Sequence, residues 1–256
     1  MTSLQQSGTN AMDQIERGLR RELAAAYRLV ALLGWDDHVA THLSARLQDG
    51  SFLIVPFGLM FAEVTAGNLL RVAMDGTVIS PVEGPLNAAG FNIHAGLYEA
   101  RADAASIMHL HTHDGVAVSA LKDGLLPLSQ TSMLVLPDVA YHSFEGIADR
   151  VQERESLARD IGDKNLLILR NHGTLAMGAT IADAFYRLYT LEWSCITQMR
   201  ALAGGRELQM PDPAAAASVG NALDWTHPDR FSVRAFWPAM LRKAERACPD
   251  FDDLSN

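Results

Sequence analysis

Two short apolar runs, SIMHLH at 106–111 and NLLILRN at 165–171, constrain this chain most. Each reads as a buried strand, and each gives way to histidine at its polar end. Helical patterns surround them. Over 13–33, Ile15, Leu19, Leu23, Ala26, Leu29, Val30 and Leu33 recur at steps of three and four, and Gly34 stands where a helix should stop. Residues 41–80 read instead as an antiparallel meander of short strands, with turns at Gln48-Asp49-Gly50 and Asp75-Gly76.

Further helices are expected over 87–101, 113–124, 145–161, 180–204 and about 229–247, while 131–144 reads as β-like. The Pro/Ala-rich stretch PDPAAAASVG at 211–220 reads as a mobile loop or lid. Residues 1–10 are polar and are expected to be disordered. No internal repeat or linker stands out, so 11–250 are expected to form a single α/β domain with a substantial core.

Charge and cysteine content narrow the function classes. With 21 basic and 30 acidic residues the formal net charge is −9, and no basic cluster offers a nucleic-acid footprint. Cys195 and Cys248 are the two cysteines, too few for a disulfide scaffold and consistent with a reducing compartment. No apolar leader opens the chain and no run of 18 apolar residues spans a membrane, so a cytoplasmic protein acting on a small molecule is expected.

The chemistry points to histidine. On a strand, His109 and His111 share one face with Ile107, their Cα atoms roughly 6.5–7 Å apart, while Met108 and Leu110 face the other way. His172 follows the second buried strand in Asn171-His172-Gly173, where Gly173 permits a sharp turn. Three neutral imidazoles suit a divalent ion such as zinc, iron or nickel, leave coordination positions open, and leave the ion its full charge as a Lewis acid. Spacing does not join the two places, which lie 61 residues apart, and histidines hydrogen-bonded near the core fit the same pattern.

Five segments in order, AAYRLVALLGWDDHVATHLSAR, FLIVPFGLMFAEVTAGNLLRVAMDG, GFNIHAGLYEARADAASIMHLHTHDGVAVSAL, LPDVAYHSFEG and NHGTLAMG before a long helix, resemble the class II aldolase/adducin head domain from about Gly18 to Pro249. That resemblance implies a three-layer α/β/α sandwich with a mainly antiparallel central sheet. It also implies a homotetramer with sites at subunit interfaces, and a metal on His109, His111 and His172. Zinc is the first expectation for that metal, with manganese or iron as alternatives. The long helix containing AFYRLYTLEWSCITQM is expected to serve the core or a subunit interface.

The chain departs from the family's sugar-phosphate aldolases. Their P-S-S-E run corresponds to Asn87-Ala88-Ala89-Gly90, so Gly90 replaces the catalytic glutamate and alanines replace both phosphate-binding serines. Their phosphate loop corresponds to Thr41-His42 and Phe57-Gly58. Alanine and phenylalanine offer a phosphate no hydrogen bond, which argues for a non-phosphorylated substrate. Aldol cleavage needs a base, whereas decarboxylation needs only an electron sink and a proton donor.

The expected activity is therefore a metal-dependent carbon–carbon lyase, aldolase or decarboxylase, acting on a small hydroxy or oxo acid. A non-catalytic adducin-like interaction domain and a mononuclear iron oxygenase are the alternatives. His113 and Tyr141 are the candidate proton carriers, although Thr112 reads as an N-cap that would turn His113 away. His42, Gly58 and His94 are the candidate substrate contacts. Asp114 is expected either to orient a ligand histidine or to sit at a helix start.

Overall fold

The computed structural model describes residues 3–79, 82, 84–146 and 153–255. Helix α1 (Ser3–Leu33) begins earlier than the apolar periodicity, because nothing in the polar segment breaks a helix: it holds no proline. The terminus expected to be disordered is thus helical from Ser3. The helix is buried from Leu23 to Val30 and ends at Gly34, whose φ of 68° suits glycine.

The meander follows as β1 (His42–Arg46), β2 (Phe52–Ile54) and β3 (Leu70–Val72), with Gly50 and Gly76 at positive φ in the two turns. After the second turn only one bridge forms, Val72 to Val78. Tyr27 of α1 pins the start of β1: its buried hydroxyl donates to the Leu43 carbonyl and accepts the amides of Leu43 (2.9 Å) and Val55 (3.2 Å).

The order continues as α2 (Ala88–Ala100), β4 (Ser106–Leu110), α3 (His113–Ala120), α4 (Gln130–Val135), β5 (Val139–His142), α5 (Glu153–Ile161), β6 (Leu166–Leu169), β7 (Gly173–Gly178), α6 (Ile181–Ala203), α7 (Pro213–Gly220), a π-helical turn (Ser232–Phe236) and α8 (Trp237–Ala247). Among the described residues seven strands form one sheet in the order β3-β2-β1-β4-β7-β6-β5. Every pairing is antiparallel except β5 with β6, so the expected mainly antiparallel sheet is present.

Alternation along the strands builds two cores. Leu43, Ala45, Met108, Leu110, Ile168 and Ala176 pack with residues of α1, α6 and α8 on one face. Phe52, Ile54, Ile107, Leu167, Leu175 and Met177 pack with α2 and α5 on the other. Ile107 shares the second face with His109, as its spacing requires, and His111 follows just past the end of β4. Among the described residues no helix is long and apolar enough to cross a membrane.

Beyond the N-terminus, four segments differ from expectation. The first half of the β-like stretch is helical, because Ser129 caps α4 by accepting the Ser132 amide; the strand starts only after Pro137. The Pro/Ala-rich stretch is helix α7, since Asp212 accepts the amides of Ala214 and Ala215, Pro213 fits the first turn, and the alanines propagate it. Of the helix expected over 145–161, residues 145–146 are not helical, 147–152 lie outside the described residues, and α5 is described over Glu153–Ile161.

The fourth difference bears on the site. GTLAMG is a strand, β7, and the reversal before it is made by Asn171, at φ 56°, rather than by Gly173. Gly173 answers a different need: a Cβ there would lie 2.3 Å from the Leu110 carbonyl oxygen and 3.0 Å from the His111 ring. Gly173→Ala is expected to destabilise the fold by about 1–3 kcal/mol or more, read as a lowered urea midpoint with an unchanged slope.

Candidate metal centre

Strand pairing assembles the site. β1 pairs with β4 so that His42 faces His109, and β4 pairs with β7 so that Leu110 faces Thr174. The turn at Asn171 then presents His172 beside the end of β4. His109 Nε2 lies 2.9 Å from His111 Nε2 and 3.2 Å from His172 Nε2, and the three ring centroids are 4.7–4.8 Å apart. Sixty-odd residues of sequence separation are closed by one β-ladder.

Hydrogen bonding at the far nitrogens sets the tautomers. His109 Nδ1 donates to the Thr174 carbonyl at 2.8 Å, and His111 Nδ1 donates to Asp37 Oδ2 at 3.1 Å. In the neutral rings both Nε2 atoms therefore carry lone pairs, and these face each other at 2.9 Å. Such an arrangement is repulsive alone and is satisfied by a cation between them. Tetrahedral coordination at 2.0–2.1 Å separates ligand nitrogens by about 3.3 Å, close to the spacings present. The donor set fits a divalent metal. Among the described residues, these three histidines form the group of close-set potential ligands, all ligand atoms lying within 4.8 Å of one another.

Electrostatics keep His109 and His172 uncharged. Burial, followed by the neighbouring imidazoles, holds His109 well below the usual histidine range and takes His172 down to about 4. The same causes take His42 down to about 3. In the unfolded chain these rings take up protons near pH 6.5, while the folded chain resists until the lower values. Stability is therefore present above about 6.5 and is lost as pH falls towards the folded pKa, by about 1.4 kcal/mol per pH unit for each such histidine. Metal-stripped protein is expected to show a lower denaturant midpoint at pH 5 than at pH 7.5.

A cavity of about 290 Å³ opens beside the triad, lined by Ala40, His42, Ala89, Ile93, Phe144 and Gly146 with the three ligands. His42 occupies the room of an absent side chain: a Cβ on Gly90 would lie 2.5 Å from His42 Cδ2 and 2.9 Å from its Nε2. The imidazole thus stands where a residue-90 side chain would start. Behind it runs a buried polar chain. His42 Nδ1 meets His94 Nε2 at 2.8 Å, His94 Nδ1 meets Ser44 Oγ, and Ser44 Oγ meets the Tyr98 hydroxyl at 2.7 Å.

The other sequence candidates fall elsewhere. His94 is fully buried and is absent from the cavity lining, which it approaches through its contact with His42. Gly58 is exposed in a turn at φ 99°, where the backbone requires glycine, and does not line the cavity. His113 is exposed on the first turn of α3, turned away because Thr112 caps that helix through the Gly115 amide. Tyr141 is carried to the opposite face by the period of β5, where its hydroxyl accepts the Leu125 amide (3.0 Å) and Arg170 covers its ring (4.2 Å). Asp114 sits in the first turn of α3, and the carboxylate on His111 is Asp37 instead. Asp37 lies in a loop after α1, 74 residues from its partner, and no local pattern marks it.

Comparison with known proteins agrees with this architecture. The family described as Class II Aldolase and Adducin N-terminal domain matches residues 21–199. A Caulobacter vibrioides protein named only by class, as an aldolase class 2 protein, is 46% identical over 94% of this chain and 95% of its own. Alpha-adducin of Mus musculus is 42% identical over 83% of this chain, which spans 30% of that longer protein. The structure of an L-fuculose 1-phosphate aldolase from Glaciozyma antarctica is 28% identical, with a TM-score of 0.81 and 94% of each chain covered.

Proposed function

Since the chain belongs to the class II aldolase and adducin family, we propose that it is a divalent-metal-dependent carbon–carbon lyase. Its substrate is a small non-phosphorylated hydroxy or oxo acid, cleaved by aldol cleavage or decarboxylation. The observation that carries this reading is the pair of lone-pair nitrogens on His109 and His111, with His172 closing the third side. When bound there, zinc (or manganese or iron) supplies Lewis acidity for the electron pair released at carbon.

The chain's own residues do the rest. His109 and His111 are held in the ligating tautomer by the Thr174 carbonyl and by Asp37. His42, neutral and at the cavity wall, offers the substrate a hydrogen bond from the place where the sugar-phosphate aldolases carry their glutamate. Ala40, Ala89, Ile93 and Phe144 exclude water from the reacting carbon. No described cavity residue is a lysine, arginine, serine or threonine, which supports a substrate without phosphate. A cytoplasmic homotetramer completes the proposal.

The test is a screen of 2-oxo and hydroxy acids for carbon dioxide or aldehyde release, with zinc-, manganese- and iron(II)-loaded protein in parallel. Metal-dependent release under anaerobic conditions is expected. Absence of carbon–carbon cleavage across the loaded set would overturn it. The likeness to alpha-adducin favours one second reading, a non-catalytic interaction domain; that reading predicts no turnover and no metal requirement.

A further inference from the structure

Glu192 of α6 is fully buried on the opposite face of the sheet from the cavity, and nothing in the proposed chemistry uses it. Its two carboxylate oxygens are divided between two threonines: Thr112 Oγ1 donates to Oε2, and Thr174 Oγ1 donates to Oε1. Those threonines adjoin the ligands. Thr112 directly follows His111 and caps α3 by accepting the Gly115 amide at 3.0 Å. Thr174 stands two residues after His172, and its carbonyl holds His109 Nδ1 at 2.8 Å. One carboxylate therefore bridges the two chain segments that carry all three imidazoles.

The residue type matters. A carboxyl group buried in a packed core is unfavourable unless it is well bonded, and burial pushes this one up to about 7 although both hydroxyls draw it down. Only a carboxylate presents two acceptors in a rigid fork matched to two hydroxyl donors. Room is kept for it by Gly115, where a Cβ would lie 2.7 Å from Thr112 Oγ1 and 3.2 Å from Glu192 Oε2.

We propose that Glu192 is a positioning residue of the metal centre, clamping the end of β4 to the start of β7 through Thr112 and Thr174 so that the three Nε2 atoms converge. The proposal rests on the metal reading above, and its test separates the two. Metal-free protein is titrated with cobalt(II), without substrate, following the visible absorption of the bound ion, with melting temperature recorded in parallel. Glu192→Ala is expected to weaken cobalt affinity 10–100-fold and to alter the absorption band. Glu192→Gln, which keeps the shape and one acceptor, is expected to recover part of that loss. Thr174→Val leaves the carbonyl on His109 in place and is expected to weaken affinity by a smaller factor; it decides the matter if Glu192→Ala does not fold. A folded variant with affinity within twofold of the parent and an unchanged band would overturn the clamp alone. A parent that binds no cobalt(II) overturns the metal reading and the clamp with it.

Discussion

Replacing His109 with alanine is expected to take the bound divalent metal from about one ion per chain to none. His109 is the hinge of the triad, since its Nε2 is within 3.2 Å of both other ligand nitrogens. Its removal leaves His111 and His172 as a two-ligand remnant on a cavity wall. His172→Ala is expected to have the same effect. His113→Ala is the matched control: that imidazole is exposed on α3, outside the cavity, and its loss should leave metal content unchanged. Elemental analysis of protein purified without a nickel column reads the outcome. Full retention of the ion in both ligand variants would show that it is held elsewhere.

The second large effect concerns Gly90, which stands in the first turn of α2. In a helix, glycine to alanine ordinarily stabilises by about 0.5–1 kcal/mol. Here the new Cβ would sit 2.5 Å from the His42 ring, which is buried and tied to His94. The clash is expected to reverse the sign, so that Gly90→Ala destabilises by about 1–3 kcal/mol. Gly90→Glu should cost more because it also brings a carboxylate into the packed site. Adding His42→Ala empties the contested space, and the pair should show a coupling energy of about 0.5–3 kcal/mol in denaturant unfolding. A Gly90→Ala protein as stable as the parent would refute the exchange of places between Gly90 and His42. The same exchange fills the site wall beside Gly90 with the His42 ring.

Local chemistry was legible where a short-range rule governs it. The two-residue period of β4 put His109 and His111 on one face with Ile107, and the structure keeps them there. Thr112 as a helix cap announced that His113 would turn outward, and it does. The same period governs β5, where Tyr141 shares the face of Val139, away from the cavity. Caps made by single side chains override the local expectation: Ser129 starts α4 inside the β-like stretch, and Asp212 starts α7 inside a Pro/Ala-rich stretch whose composition suggests a loop.

What the sequence by itself determined is the inventory: strands with histidine at their ends, helices of amphipathic period, a glycine at position 90, and imidazoles of the type that suits a divalent ion. Tertiary structure alone decided who meets whom. The β4–β7 ladder brings His172 to His109, a loop 74 residues away sends Asp37 to His111, and His42 moves into the space beside Gly90. The physical reason is range: backbone periodicity and capping act over a few residues, whereas these contacts depend on strand register and on close packing between segments far apart in the chain.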